Sequence, residues 1–581
     1  MKRLLIAMSL SAALSASAGK RVVEFAPDGD RDRGPEVRAA LKDGARLRFA
    51  PGRYRFSVAS MPRRTDHISN HDQPKDHPIA VPLVGLKNVR IEGEGAIFEL
   101  DGNAIAMAFV DTKRCKVEGV TVDCLRGHTV EAKILSFGDG KTRVSIDRAA
   151  FPYKIDPFTK GEKGNDNSGH LRFEDGMGGT FPIASALAFD GKTGELVEGT
   201  ADIGLWENCH AVREESPGVL VLPMDFSRIH RQVEGAKPLK VGDVLAFRNW
   251  GRENPAIFLY RAKDTEFSGV TVHSSCGMGL LAQRSENIAF CGGGMHPLPG
   301  RFASTSADAT HFSNCKGKII VSGARFEGMA DDAINVHSTC LAIEEKLDAR
   351  RFRCRYKHHQ AVGFEVFGPG ERLRFIKGPT LEDGPVVKVS AFEMRGVDEA
   401  VVTLAEDAPE GYGKGDAVEN ADFQPEVAFT GNKVRHNRAR GALFNTPGRI
   451  ECTGNLFERV SGSAILLAGD AQGWYESGAC KNVLIARNVF RDNLTSAYQF
   501  TNGIISICPE VRNLDGQKAR YHRGIVIEDN VFETFDVPLL YAKSVDGLVW
   551  RRNRVKRNSR YAKRGGKPFT LDRCENAQIA E

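Results

Sequence analysis

The stretch Val526-Ile527-Glu528-Asp529-Asn530-Val531-Phe532 carries a pattern that recurs through this chain of 581 residues: β-branched residues, then Asn or Gly, then Phe. Related stretches lie at 266–272, 320–326, 451–457 and 483–490. Several copies are 23 residues apart, as Asn530 and Asn553 are, and repetition at about 20–50 residues is typical of a solenoid. We therefore predict an all-β protein, a right-handed parallel β-helix. An antiparallel β-sandwich is the alternative, but it does not explain the coil-length spacing.

Two stretches, 126–250 and 340–422, interrupt this rhythm with alternating strands. We interpret them as two small antiparallel β domains inserted between coils, where insertions often form the binding face. A short helix near 35–41 is predicted to cover the first coil. The predicted division is a signal peptide at 1–18, an N-terminal cap with the first coils at 19–125, an inserted domain at 126–250, central coils at 251–339, a second inserted domain at 340–422, and C-terminal coils at 423–581.

The N-terminus predicts export. Lys2 and Arg3 precede an apolar run over 4–14, and Ala16-Ser17-Ala18 follows as a cleavage site. The apolar run is too short to span a bilayer, and no later segment has the required length. We therefore expect a periplasmic or secreted protein with no membrane span.

Composition excludes several classes of partner. The formal net charge of +6 is small for this length and forms no basic block, so nucleic-acid binding is not expected. The 12 cysteines are scattered, and the chain has neither a Cys-x-x-Cys pair nor a His-Glu-x-x-His helix. We therefore expect no metal and no cofactor. The oligomeric state cannot be read from the sequence.

Three carboxylates form the candidate catalytic group. Asp331-Asp332 is the one Asp-Asp pair in the chain, and it follows Asp308 by 23 and 24 residues, about one coil. Residues one coil apart lie on neighbouring parallel strands about 4.8 Å apart. Consecutive strand residues point to opposite faces, so both members of the pair can reach one cleft only at a bend, and Gly328 makes a bend plausible.

Such a cluster suits glycoside hydrolysis. One protonated carboxyl donates to the leaving oxygen, while the others activate water or attack carbon. Repulsion between crowded carboxylates raises one pKa and keeps that group protonated near neutral pH. His311 and His337 flank the cluster and favour a functional interpretation over a solvated acidic turn.

Further residues are predicted to bind substrate. Trp474 could stack on a sugar ring, and Asp470 and Glu476 could accept hydrogen bonds from its hydroxyls, although the same loop could simply pack between coils. The complete predicted set is His71, Asp72, His311, His337, Arg440, Asp470, Trp474 and Glu476. For Arg438 and Arg440, a structural ion pair is the preferred role of at least one. His358-His359 is interpreted as a solvated pair within a strand.

The Asp, then Asp-Asp, spacing resembles that of the polygalacturonase-type β-helix hydrolases. Longer phrases are more similar to the α-1,3-galactosidases of glycoside hydrolase family 110, namely those at 68–72, 326–337, 438–443 and 474–478. This resemblance spans the mature chain and implies inverting, exo-acting removal of terminal α-1,3-linked galactose, including from blood-group B-type or linear glycans. It also implies that Asp331 is the general acid and that Asp308 and Asp332 hold the water.

Alternatives from other classes remain open at this stage. The chain lacks the Gly-His-Gly and Arg-Ile-Lys phrases of polygalacturonases, which favours a neutral sugar over galacturonate. A polysaccharide lyase would need basic groups beside a uronate, and no Lys-rich coil accompanies the acids. A non-catalytic carbohydrate-binding β-helix should have more uniform coils and no domain-sized insertions beside an acidic cluster.

Overall fold

A computed structural model describes residues 22–72, 75–125, 129–157, 168–174, 179–205, 211–228, 233, 236–249, 251–496 and 502–580. The predicted signal peptide, 1–18, lies outside the described residues. Within them, three parallel sheets run the length of the chain, and each coil contributes strands to them in turn. The prediction of a parallel β-helix is confirmed.

We name the three sheets of the β-helix in the order in which the chain first enters them. The first sheet consists of Val22–Phe25, Arg46–Phe49, Arg90–Glu92, Lys116–Glu118, Lys263–Ser268, Glu286–Cys291, Lys316–Ser322, Glu426–Thr430, Ile450–Thr453, Val483–Ala486, His522–Glu528, Val545–Arg551 and Gln578–Ile579. The second sheet consists of Gly52–Phe56, Ala96–Leu100, Thr121–Cys124, Thr271–Val272, Gly294–Met295, Arg325–Glu327, Lys433–Arg435, Leu456–Glu458, Val489–Arg491, Val531–Thr534 and Arg554–Arg557.

The third sheet carries the strands next to the candidate site. It consists of Arg63–Asp66, Lys75–Val84, Ile105–Val110, Ile257–Tyr260, Leu280–Gln283, Thr310–Ser313, Ile334–Thr339, Ala442–Phe444, Ile465–Leu467, Ile505–Ile507, Leu540–Lys543 and Phe569–Asp572. The short strand Glu476–Ser477 pairs antiparallel with the end of Ile334–Thr339. This pairing folds the loop of Trp474 back over the third sheet.

The recurring Asn and Phe stack from coil to coil between the first and second sheets. The Asn432 backbone N–H donates to Asn455 Oδ1 at 2.8 Å, and the same bond joins Asn455 to Asn488 at 2.9 Å and Asn488 to Asn530 at 2.9 Å. Two residues further on, the rings of Phe490 and Phe532 stack with centroids 4.7 Å apart. The same short sequence, Asn-x-Phe, therefore supplies both the hydrogen bonds at the bend and the aromatic rings of the core.

The predicted cap is present as a helix of six residues, Gly34–Ala39, with Val37 fully buried. Short 3₁₀ turns lie at Val58–Ser60 and Phe226–Arg228. No helix among the described residues has both the length and the apolar character needed to cross a bilayer.

Both interruptions of the coils contain antiparallel sheets, as predicted. The first sheet of this kind consists of Val130–Gly138, Lys141–Ile146, Tyr153–Pro157, Ser168–Glu174, Thr180–Pro182, Ser185–Phe189, Ile203–Gly204, Val212–Ser216, Val219–Leu222 and Val244–Arg248. The second closes into a barrel made of Leu341–Lys346, Arg351–Arg355, Arg372–Ile376, Asp383–Met394, Glu399–Leu404 and Ala417–Asn420. Each has its own buried apolar cluster.

Candidate active site

Three consecutive coils place their bends at one corner of the β-helix, between the second and third sheets. Asp308 precedes the strand Thr310–Ser313, and Asp331 and Asp332 lie between Arg325–Glu327 and Ile334–Thr339. Thr310 pairs with Ile334, an offset of 24, so Asp332 lies beside Asp308 and its N–H donates to Asp308 Oδ1 at 3.3 Å.

The bend depends on Gly328, as expected. This residue has a φ of 70°, in the left-handed region, and a Cβ there would lie 2.4 Å from the carbonyl oxygen of Phe302. Because the chain leaves the strand here, the Asp-Asp pair does not follow the alternation of a strand. Carboxylate oxygens of Asp308, Asp331 and Asp332 lie within 4.8 Å of one another.

Arginines balance these charges, and two of them come from the next coil. Asp332 accepts from the backbone N–H of Arg440 at 2.8 Å and from its Nη2 at 2.9 Å. Asp331 Oδ2 lies 2.7 Å from Arg252 Nη2 and 3.3 Å from Arg438 Nη1. Arg438 and Arg440 are therefore both in ion pairs, which is consistent with the structural role preferred for at least one of them.

Their surroundings give Asp308 and Asp331 different pKa values. Burial, with the charge of Asp331, raises the pKa of Asp308 to about 7. Burial acts the same way on Asp331, but Arg438 and Arg252 outweigh it and lower its pKa to about 2. Asp331 Oδ1 has no hydrogen-bond partner among the described residues, whereas both oxygens of Asp308 and of Asp332 have one. This buried oxygen of Asp331 is therefore the one carboxylate oxygen of the three residues without a partner in the described part of the chain.

A pocket of about 590 Å³ opens over this corner. Its walls come from several coils and from both inserted domains. The predicted residues that line it are Asp72, Asp308, Asp331, Arg440, Asp470, Trp474 and Glu476. Additional lining residues that the sequence analysis did not identify are Asn70, Asn249, Arg252, Asn335, His358, His359, Gln360, Asn445 and Glu510.

Three histidine predictions need correction. His71, His311 and His337 are each at most 1% exposed and do not line the pocket, so none lies where a sugar could contact it. His71 Nδ1 instead donates to the carbonyl oxygen of Ser69 at 3.1 Å, and burial lowers its pKa to about 3. Asp332, fully buried on Arg440, is also outside the pocket lining.

One face of the Trp474 ring is covered by another side chain, although Trp474 lines the pocket and is 36% exposed. The ring of His358 stacks on it with centroids 3.7 Å apart, and the guanidinium of Arg252 lies 5.7 Å from its centroid. His358 is thus part of the pocket wall and not a solvated residue in a strand, because it follows the strand Arg351–Arg355 in a turn that folds over the site. Asp470 shapes the loop by accepting from the N–H of Tyr475 at 3.0 Å.

Side-chain and backbone amides that no sequence motif pointed to hold Glu476 and Asp72 in place. Asn70 Nδ2 donates to Glu476 Oε1 at 2.8 Å. Asp72 accepts from Gln360 Nε2 at 2.8 Å and from the backbone N–H of Arg252 at 3.0 Å. Asp72 therefore positions the arginine that pairs with Asp331. Only the tertiary contact identifies Arg252, since it follows the first inserted domain outside any repeat.

Two groups of side chains in the described part of the chain have ligand atoms close enough to bind a metal ion. One is Asp308, Asp331 and Asp332; the other is His311, His337 and Glu476. In the first group, arginines already bind two of the carboxylates. In the second, the two Nε2 atoms lie 2.8 Å apart, at hydrogen-bond distance.

A parallel β-helix with three carboxylates at the bends beneath a sugar-sized pocket defines a glycoside hydrolase. Residues 351–418 match the family described as GLAA-B beta-barrel domain II. The chain is 46% identical to "Alpha-1,3-galactosidase B" of Akkermansia muciniphila over 95% of this chain and 67% of that protein. It is 38% identical to the protein of the same name from Phocaeicola vulgatus, over 94% and 92% of the two chains.

More distant similarity extends to solved structures. The exopolygalacturonase of family 28 from Yersinia enterocolitica shares 11% identity over 93% of this chain and 74% of its own, with a TM-score of 0.38. The sequence relatives, in contrast, cover nearly the whole chain at well over 30% identity. The chain belongs to the α-1,3-galactosidase family, glycoside hydrolase family 110, as the resemblance implied.

The ion pair of Arg440 and Asp332 makes a testable prediction. Arg440→Met leaves a buried carboxylate without its partner, so we expect the free energy of unfolding to fall by about 3–5 kcal/mol. Adding Asp332→Asn removes that charge and should recover part of the loss. Urea unfolding of the two variants beside the wild type measures both effects, and equal losses in the single and double variants would contradict the pairing.

Proposed function

We propose that this protein is an exo-acting, inverting glycoside hydrolase that releases terminal α-1,3-linked galactose from glycans, of the blood-group B type or linear. The names of its relatives support the bond and the sugar. The observation that carries the chemistry is the pair of carboxyls, Asp308 and Asp331, that line a pocket large enough for a terminal sugar and differ in pKa. A pocket lined by residues of several coils suits a chain end.

In the proposed mechanism, the carboxyl of Asp331 donates a proton to the glycosidic oxygen as the galactosyl bond breaks. Asp308, which lines the pocket, takes a proton from the attacking water. Asp332 is buried and engaged on both oxygens by Arg440, so it fixes the bend and the charge balance around the water. The roles of Asp331 and Asp308 follow the resemblance and are supported by their place in the pocket lining, whereas Asp332 lies outside that lining and acts through its neighbours.

The cycle requires a proton to move within the cluster. Turnover starts with Asp331 protonated and Asp308 ionised, and it ends with the reverse distribution. The pKa values of about 2 for Asp331 and about 7 for Asp308 favour that final distribution. With the carboxyls this close, the proton belongs to the cluster and not to one residue, so Asp308 must lose its proton again before the next turnover.

Inversion follows from the family resemblance, and the short distance between the carboxyls limits where the attacking water can lie. Carboxylate oxygens within 4.8 Å are closer than the ~6.5–9.5 Å between carboxyl groups in most inverting enzymes. The water must therefore lie beside the pair and not between its members.

The far wall of the pocket suits a neutral sugar. Glu476, Asp470 and Glu510 line it, and their carboxyls can accept hydrogen bonds from hydroxyls while repelling a uronate. Burial, with the charge of Asp470, raises the pKa of Glu510 to about 7, so this group can also donate. The stack of His358 on Trp474 forms an adjoining rigid edge.

The stereochemistry of the first product tests the inverting mechanism. With an α-1,3-galactoside as substrate, direct attack by water places the new hydroxyl on the opposite face. Proton NMR during the first minutes should therefore show β-galactose before mutarotation. Initial appearance of α-galactose would indicate a glycosyl-enzyme and contradict the assigned roles.

Substitution of the three carboxylates tests the site itself. All three Asp→Asn substitutions are nearly isosteric. Asp308→Asn and Asp331→Asn should each lower turnover at least about a hundredfold, since acid–base groups contribute about 10²–10⁴-fold. Asp332→Asn should also lower turnover, because the Asp332 carboxylate holds Arg440 and the charge balance of the cluster. A substrate with a good leaving group should rescue Asp331→Asn most, because it needs less protonation. Asp348→Asn, exposed on the barrel, is the matched control and should turn over like the wild type. Near-full activity in any of the three would remove that residue from the mechanism.

Export is proposed as well. The basic start, the apolar run and the small-residue site at 16–18 support a cleaved signal peptide and a periplasmic or secreted protein. Expression of the full chain in a Gram-negative host, followed by mass spectrometry of the periplasmic protein, should show an N-terminus near Gly19. Recovery of uncleaved chain from the cytoplasm alone would contradict it.

A further inference from the structure

Two buried histidines connect Asp308 to Glu476 on the opposite side of the pocket floor. His311 Nδ1 lies 2.7 Å from Asp308 Oδ2, and its Nε2 lies 2.8 Å from His337 Nε2. His337 Nε2 lies 3.5 Å from Glu476 Oε1. The proposed mechanism does not use either imidazole, and neither is exposed to the pocket.

The hydrogen bond at His337 Nδ1 determines how many protons the two imidazoles and Asp308 share. Its Nδ1 lies 3.0 Å from the carbonyl oxygen of Ser338, and a carbonyl can only accept, so Nδ1 carries a proton. One proton must also lie between the two Nε2 atoms, because two facing lone pairs repel at that distance. A third lies between His311 and Asp308.

Two arrangements place these three protons while His311 stays neutral, as its lowered pKa requires. In the first, Asp308 is protonated and donates to His311 Nδ1, while His311 Nε2–H donates to a neutral His337. In the second, the Asp308 O–H bond is broken and His311 Nδ1–H is formed, while His311 Nε2–H is broken and His337 Nε2–H is formed. No proton enters or leaves the chain of groups. The second arrangement makes Asp308 a carboxylate and His337 an imidazolium.

We propose that His311 and His337 form a two-imidazole proton relay that Glu476 biases toward the second arrangement, so that Asp308 is ionised and oriented as a base. The proposal rests on the function proposed above. Negative charge at Glu476 attracts the proton to His337, and burial strengthens this attraction. Both histidines are positioning residues, since they act through Asp308.

Two further observations support this bias. Burial raises the pKa of Glu476, but His337 and His311, with the hydrogen bond from Asn70, outweigh it and lower that pKa, so the group is ionised. Burial and the charge of His337 hold the pKa of His311 well below its usual range, so His311 is the neutral member of the pair. Asp331 and Arg252 also act on the pair, with opposite signs.

Glutamine substitutions test the relay. His311→Gln and His337→Gln can keep a hydrogen bond but cannot pass a proton, so we expect kcat to fall at least about tenfold and no further than the about 10²–10⁴-fold that a general base contributes. KM should change little, because neither side chain contacts the sugar. His522→Gln is the matched control: it is fully buried, bonds the N–H of Cys480, and should keep the kcat of the wild type. Wild-type kcat in both relay variants would overturn the proposal.

A double-mutant cycle separates the relay from a packing role and from the proposed function. If His337 acts through Asp308, then His337→Gln should lower kcat no further in an Asp308→Asn background. If the two substitutions instead lower kcat by factors that multiply, the relay is overturned, but Asp308 remains the base. Full activity of Asp308→Asn alone would instead overturn the proposed function at that residue.

The wild-type protein provides a direct readout that needs no variant to fold. Nitrogen-15 NMR of the full chain with labelled histidine should show His311 protonated on Nδ1 and bare on Nε2, with His337 protonated on both. The opposite tautomer of His311 would overturn the bias. So would a stoichiometric metal ion, found by elemental analysis of the wild type and lost in His337→Gln, since the two Nε2 atoms would then be ligands.

Discussion

The coil-to-coil register is the constraint on which the rest of this structure depends. Each coil hydrogen-bonds to the next through parallel strands, so a polar side chain at a bend must find its partner one coil away. Asn455 and Asn488 meet this requirement by donating and accepting along the stack. Because the register is shared by all three sheets, it also determines which side chains meet at the other corners.

The candidate site uses the same stacking for a different purpose. At one corner, successive bends supply Asp308, then Asp331 and Asp332, then Arg438 and Arg440. Buried carboxylates without partners would be strongly destabilising, and the arginine bend of the following coil offsets them. The pairing leaves different pKa values on neighbouring acids, which is the condition for dividing acid and base roles among identical side chains.

The inserted domains complete the pocket that the coils begin. The segment after the first one brings Arg252 to Asp331, and a turn of the second brings His358 and Gln360 over the opening. Asp72 joins the two by bonding both Gln360 and Arg252. A solenoid corner alone is an open groove, and these contacts add walls around it, so the site takes the form of a pocket.

Much of this protein could be predicted from repetition and residue type in the sequence. The Asn and Phe spacing was enough for the β-helix, and the Asp, Asp-Asp spacing with Gly328 was enough for the carboxylate corner, because both depend on contacts that recur at a fixed distance along the chain. The sequence did not predict the contacts of Trp474, His311 and His337. Whether a ring stacks on a sugar or on His358, and whether an imidazole faces the pocket or a second imidazole, depends on partners from distant, unrepeated segments. Arg252 could be found only in the tertiary structure for the same reason: its contact with Asp331 joins residues that no period in the sequence relates.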